Sequence, residues 1–384
     1  MVGDRGQVHV VHLTTVHKPF DVRIFHKECK SLAAAGYRVS LIQSDCDAGI
    51  VDGVEIVPIP RHHRRIVRMT LGVAQAVAAA RRSGADVVHF HDVELIWGAF
   101  VLKLLGKKVV YDVHEDVAKD LEDKAYLPSW ARAPIRLAVH GFEFVAQLIC
   151  DRIIGATKSI HARFAPERAT LVRNSPILGE FSSGEAPPFT ERRNIAAYLG
   201  GLAAFNGPVA MVDAMARVPD ELEPRLILGG SFPDSSLEAR VRGSDGWQRV
   251  DFRGWVPRSA ISDIFTQARC GLVLYQPTPN VIDSEPNKFF EVMSAGLPLV
   301  ASDFPVWRNL IEQFECGIAV DPNDPAAIAA AIEYMFRNPT EAEAMGRRGR
   351  DAILNGYNWS VDGNTLVNLY DRLTGSTQPD AQHA

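Results

Sequence analysis

The chain has 384 residues, 47% hydrophobic and 23% charged, with a formal net charge of −5. That length exceeds one typical domain and predicts two of similar size, and the composition is that of a protein with full cores. The acidic balance excludes a general nucleic-acid binder, whose surface would be net basic. The five cysteines (Cys29, Cys46, Cys150, Cys270, Cys316) are scattered and never in C-x-x-C spacing, which argues for a reducing compartment and against a disulfide framework. The start of the chain shows no signal-peptide pattern, and no run of about 18 apolar residues occurs. A cytoplasmic protein without membrane spans is the expectation.

The first half alternates short β-branched runs with amphipathic stretches. VHVVHLTT (8–15) reads as a buried strand and VRIFHKECKSLAAAG (22–36) as a helix closed by Gly36, with Asp21 as its N-cap. Strands follow at 38–43 and 54–60, then a long helix over 65–82, a strand at 86–92, a helix at 94–106 and a strand at 108–115. A helix at 131–149 precedes strands at 152–157 and 170–174. Residues 176–193, rich in Pro, Gly, Ser and charge, break the rhythm and read as a linker. Alternation then restarts with strands at 194–201, 225–231, 247–255, 271–276, 298–303 and 317–321. Helical segments fill 325–337 and 339–355. The expected organisation is a first domain over 1–175, a second over 194–357, a C-terminal helix over 358–373 packing back on the first domain, and a polar tail over 374–384. Apolar runs separated by helices indicate parallel sheets covered on both faces, hence two Rossmann-like α/β domains. Such domains face each other across a cleft, with ligands at the carboxyl ends of their strands.

The segment DSEPNKFFEVMSAGLPLVASD (283–303) carries the most chemistry. Pro286 and Gly296 bracket a helix whose first turn, at Asn287 and Lys288, presents free N–H groups to an anion, with the Lys288 charge beside them. Glu291, one turn on, has the right group to accept from a pair of ribose hydroxyls. Asp283 enters from the preceding loop, within reach of a sugar hydroxyl.

PNKFFEVMSAGLPLVASD resembles the donor-site signature of the family 4 retaining glycosyltransferases of GT-B fold. The opening HLTTVHKPFDVRIFHKECKSLAAAGYRVSLI, YDVHED (111–116) and AAYLGGLAAFNGPVAMVDAM (196–215) extend the likeness along the chain. The resemblance implies a nucleotide diphosphate sugar as co-substrate, no metal, a hydroxyl acceptor, Glu291 on the ribose, Asp283 on the transferred sugar, and His114 steadying that sugar. Asp283 stands where the family usually has Glu, one methylene longer. In the donor-domain loop many members carry Arg and Lys against the diphosphate; the matching positions here are Gly201 and Asn206. Lys288 is then the nearest substitute, with Arg23 or Arg173 behind it. Arg253, with Gly254 and Trp255, occupies the loop that holds the nucleobase in the family.

Other residues are candidates for the acceptor side. His91 and Asp92 end a strand, His17 lies in the loop after the first strand, and Arg23 sits unfavourably in the first turn of a helix, which suits an anion partner. Glu115 and Asp116 suit a supporting role behind His114. His89 and His91 share one strand face and with Asp92 invite a metal reading, but no third ligand of suitable spacing is visible and no metal is expected. The acid-free stretch Arg61–Arg68 and the helix carrying Arg132 and Arg136 fit either anionic lipid headgroups or a solvated basic face. The reading is a retaining, metal-independent hexosyltransferase-like enzyme of polysaccharide, glycolipid or glycoconjugate synthesis. A nonenzymatic binding subunit, or a nucleotide-sugar epimerase on the same frame, are the alternatives.

Overall fold

The computed structural model of the chain describes residues 5–114, 129–181 and 187–376. Glu115, Asp116, the Arg132 side chain and the tail beyond 376 lie outside the described residues. The chain divides into two compact units, one of residues 1–174 with 359–384 and one of 175–358.

The first unit is built on an eight-stranded sheet ordered β3-β4-β2-β1-β5-β6-β7-β8. Its central strands are β1 (His9–Leu13), flanked by β2 (Arg38–Gln43) and β5 (Val87–Phe90), then β6 (Lys108–Val113). β1 and β5 are buried at every position, as strands covered by helices on both faces must be. β7 (Arg152–Gly155) and β8 (Ala169–Leu171) complete one side, β4 (Val54–Pro58) and β3 (Gly49–Val51) the other. All pairings are parallel except that of β3 with β4. The strand order reverses between β1 and β5, so their carboxyl ends open a crevice.

The helix entered after β1, Val22–Cys29, is wound more widely than α: Asp21 O accepts from His26 N at 3.3 Å as well as from Phe25 N at 2.9 Å. Asp21 caps it as expected, accepting from Arg23 N and Ile24 N. The C-terminal helix Trp359–Thr374 belongs to this unit. Its Asp371 accepts from Arg5 and Tyr37, Trp359 donates to Ser31, and Tyr370 is wholly buried.

The second unit carries six strands ordered β11-β10-β9-β12-β13-β14, all paired in parallel among the described residues. These are β9 (Ile195–Leu199), β10 (Arg225–Gly229), β11 (Val250–Gly254), β12 (Cys270–Val273), β13 (Leu299–Ser302) and β14 (Gly317–Val320). This is the doubly wound Rossmann order, with its switch point between β9 and β12. The core gathers around Tyr198, Phe289 and Trp307, all essentially inaccessible.

Two details differ from the sequence expectation. β3 makes a hairpin with β4 that the strand at 54–60 did not include; Asp52 and Gly53 both take positive φ, the turn that Asp-Gly favours. The strand expected from 247 begins at Val250, because Asp245–Arg249 coils into a short 3-10 turn with Gly246 buried.

Candidate functional site

At the switch point of the second unit a cavity of about 430 Å³ is lined by the turns after β9, β10 and β11 and by Asn287, Lys288 and Glu291. The helix Asn287–Ser294 follows an N-cap at Pro286, whose extended ψ of 138° turns the chain into the first turn. Trp307 anchors the loop before it, donating to Ser284 O at 2.7 Å. Amides of a first turn have no intrahelical acceptor, so this end presents donors and the positive end of the dipole.

Two glycine turns make room for the lysine. Gly200 and Gly230 adopt φ of +148° and +150°, and a Cβ on Gly200 would overlap Lys288 Cε and Nζ. A Cβ on Gly230 would overlap the Gly200 carbonyl oxygen. Lys288 therefore runs across the Gly200 backbone, donates to Tyr198 Oη at 2.7 Å, and lies 4.5 Å and 5.2 Å from the ring centres of Tyr198 and Tyr275. Burial pulls its ammonium down to about 8, opposed by the Glu291 charge. Among the described residues lining the cavity it is the cation with no carboxylate bonded to it.

Arg258 is the functional candidate that the sequence reading missed. It opens the helix Arg258–Gln267 after β11, lines the cavity, and donates from Nη1 to Glu291 Oε1 at 3.0 Å and from Nη2 to Glu180 Oε2 at 2.9 Å. The available signal was its place at the first turn beyond a βα loop, four residues past Gly254. Arg253, expected there, alternates out of the strand instead and pairs with Asp251 on the same face at the surface. Gly201 lines the cavity, whereas Asn206 is buried with its Oδ1 accepting from Ala203 N, so it closes a turn and does not reach inward. Asp283 sits exposed at the end of the short helix Pro279–Ile282 and is not among the residues lining the cavity.

In the first unit the carboxyl ends of β1, β5 and β6 gather His17, His91, Asp92, Asp112 and His114. His17 Nδ1 lies 2.9 Å from Asp92 Oδ1, His17 Nε2 is 2.9 Å from His114 Nε2, and His114 Nδ1 is 2.9 Å from Asp112 Oδ2. Burial alone would raise Asp92, but the His17 contact and the Thr15 N–H hold it below the usual carboxylate range. Both carboxylates accept, so each ring turns its Nδ1 outward to an acid and its Nε2 toward the other ring.

Arg23 points inward, not toward an anion: its guanidinium grips Asp112 with Nε at 2.9 Å and Nη2 at 2.6 Å, and it is 3% exposed. Arg173 pairs with Asp362 of the C-terminal helix. His91 and Asp92 also turn inward. His91 contacts His12 and Asp112, while Asp92 accepts from Thr14 and Thr15, so both shape the crevice floor. The reading of His89 and His91 with Asp92 as an incomplete metal set changes too. The fold brings His12 and Glu28, not Asp92, to the two histidines.

In the basic stretch Arg61 pairs with Asp45 and Arg68 with Glu94, while Arg64 and Arg65 are exposed beside Ile66. No helix of the described residues is long and apolar enough to cross a membrane.

Two family models match, Glycosyltransferase Family 4 over residues 22–172 and Glycosyl transferases group 1 over 183–352, leaving only the ends and a short join unmatched. A phosphatidyl-myo-inositol mannosyltransferase of Mycobacterium leprae is 34% identical over 22% of this chain and 23% of its own length. An MMP alpha-(1->4)-mannosyltransferase of Mycolicibacterium hassiacum is 23% identical over 78% of this chain and 73% of its own. Among solved structures, the sucrose-phosphate synthase of Thermosynechococcus elongatus aligns with a TM-score of 0.77 at 19% identity, covering 97% of this chain and all of that one. With two Rossmann-like halves of the GT-B type and both family models in chain order, the chain belongs to the family 4 glycosyltransferases.

Proposed function

We propose that the chain moves a sugar from a nucleotide diphosphate sugar to a hydroxyl acceptor with retention, and with no metal at the diphosphate. The observation that carries this is the first turn of Asn287–Ser294 at the switch point, with Lys288 beside it and Glu291 one turn in. The helix end and Lys288 take the charge that a metal would otherwise neutralise on the leaving diphosphate. Glu291 accepts from the ribose diol, exchanging part of its contact with Arg258. The glycosidic C1–O bond to phosphate breaks, a C1–O bond to the acceptor forms on the same face, and the acceptor proton passes to the departing phosphate oxygen. His114, braced by His17 and Asp112, and Asp283 are assigned to sugar hydroxyls.

The test is a thermal-shift screen against UDP-, GDP-, ADP- and dTDP-sugars, repeated with Glu291→Ala. Nucleotide-mannose donors come first, because two relatives are named as mannosyltransferases. One nucleotide class should raise the melting temperature, and Glu291→Ala should abolish the rise. A shift of equal size in the variant would move the ribose elsewhere, and no shift with any nucleotide would overturn the proposal.

We also assign the acceptor to the lipid-linked class. Ile66 is 78% exposed, Leu104 72% and Leu137 74%, an apolar display unusual for a solvated face. Trp97 meets Phe142 edge-on at 5.6 Å, joining helices Ile96–Leu104 and Ser129–Ile149 into one surface. Arg64 and Arg65 border Ile66, so apolar insertion and headgroup attraction act together. Cosedimentation with anionic vesicles but not with neutral ones is expected, reduced by Ile66→Ser with Leu137→Ser. Binding to neither vesicle type, or equal binding to both, removes this assignment.

A further inference from the structure

We propose that His12, Glu28, His89 and His91 form a closed site for one divalent transition-metal ion, zinc by its chemistry, built into the first unit as a structural element. The four residues come from separate places in the sequence. His12 lies on β1 directly opposite His89 on β5, His91 follows β5, and Glu28 projects from the wide helix Val22–Cys29. All four side chains have zero exposure.

Their donor atoms converge. Glu28 Oε2 is 3.9 Å from His12 Nδ1, 3.8 Å from His89 Nε2 and 3.9 Å from His91 Nε2, and His12 Nδ1 is 3.0 Å from His91 Nε2. A tetrahedron of zinc bonds of about 2.0–2.1 Å has donor–donor edges of roughly 3.3–3.4 Å. These four edges bracket that value, and all four donor atoms lie within 4.8 Å of one another, so small side-chain rotations would draw them into a shell. Three imidazole nitrogens and one carboxylate suit zinc and exclude magnesium or calcium, which take oxygen donors. With no exposed position in the cluster, the shell has no opening for water, as in structural rather than catalytic zinc sites.

A hydrogen-bonded polar core explains the cluster less well. Among the described residues, His89 Nε2 and both Glu28 oxygens are buried without a hydrogen-bond partner, although Arg23 Nε lies 3.1 Å from Glu28 Oε1. Buried polar atoms left in this state are rare and call for an ion or an unseen group. The outer nitrogens add a second signal. His89 Nδ1 meets Tyr370 Oη at 2.9 Å and His91 Nδ1 meets Asp112 Oδ2 at 3.1 Å, the hydroxyl and carboxylate partners that orient metal-binding imidazoles. His12 Nε2 has no such partner among the described residues. Through Asp112, which also holds His114, the ion would fix the ring that the proposed chemistry uses.

The experiment is elemental analysis of the full chain, purified from zinc-supplemented culture without chelator, and again after unfolding and refolding with zinc alone. About one equivalent of zinc per chain is expected, with cobalt giving the visible spectrum of a four-coordinate site. Glu28→Gln and His89→Asn should lose the metal, while His140→Ala, on an exposed histidine elsewhere, keeps it. If those two variants fail to fold, Tyr370→Phe still tests the site: removing the partner of His89 should weaken zinc binding by about tenfold or more. Less than roughly a tenth of an equivalent in both wild-type preparations overturns the proposal. So does full retention of zinc in Tyr370→Phe together with Glu28→Gln.

Discussion

Lys288 is held between the Tyr198 and Tyr275 rings, where burial lowers its ammonium to about 8 against the raising effect of Glu291. A bound diphosphate favours the charged form and raises that value again. Below pH 8 the free protein already carries the proton, so nucleotide affinity should be flat. Above it, binding must take up a proton, and affinity should fall by up to about tenfold per pH unit until the bound-state value is reached. Calorimetric titration with the nucleotide found in the screen, at pH 7 to about 9.5 and in buffers of different ionisation enthalpy, measures both the slope and the proton. Lys288→Arg, always charged, should flatten the profile, and Lys288→Met should cost on the order of tenfold to a hundredfold in affinity. An unchanged slope in Lys288→Arg would show that another group titrates. Arg258→Leu should also weaken binding by about tenfold, since Glu291 then loses the donor that orients it.

Lys288 and Glu291 were legible in the sequence because they stand on one helix turn beside its N-terminus. Arg258 was not: it meets Glu291 across 33 positions and Glu180 across 78, a meeting decided by sheet order. The same limit applies to Arg23, whose placement in a first turn suggested an anion. Its partner is a carboxylate on β6, 89 positions away.

At the scale of elements, the glycine turns after β9 and β10 set how closely strand ends approach the helix. Gly230→Ala forces a Cβ into the Gly200 carbonyl at a φ of +150°, so a loss of at least about 2 kcal/mol is expected, together with nucleotide binding. Gly49→Ala on the edge strand meets open space and should stay within about 0.5 kcal/mol. Urea midpoints of the two variants give the comparison; equal midpoints would mean that the Gly230 turn yields freely. Strand and helix order were readable here because fully buried parallel strands are short apolar runs between amphipathic helices. Boundaries were less so. The hairpin of β3 with β4 carried its signal in Asp52-Gly53, but its three exposed residues give no apolar alternation. Asn206 looked like a lost phosphate ligand because its spacing matched a motif, while its side chain answers a local need, closing the turn on Ala203 N.

For the whole molecule, the two units have separate hydrophobic clusters, one around Val11, Phe90 and Tyr111 and the other around Tyr198, Met293 and Trp307. The division was visible as a break in the alternation. The four-residue histidine and glutamate cluster was not, because each member reads alone as a buried polar residue on its own element. Separate cores should melt as separate cooperative transitions in scanning calorimetry. The cavity proposed to hold the nucleotide is lined only by residues of the unit 175–358, so a saturating nucleotide should raise one transition and leave the other in place. At a hundred times Kd the stabilisation is about 2.7 kcal/mol, and a unit of this size shifts by roughly 2–4 °C per kcal/mol, giving about 5–11 °C. Gly230→Ala should lower that same transition. A chelator, by removing the proposed zinc, should lower the other one, to which His12, Glu28, His89 and His91 all belong. Ligand, glycine variant and chelator thus sort the two transitions independently. If a nucleotide moved both together, the units would be unfolding as one body and the two-core description would fail.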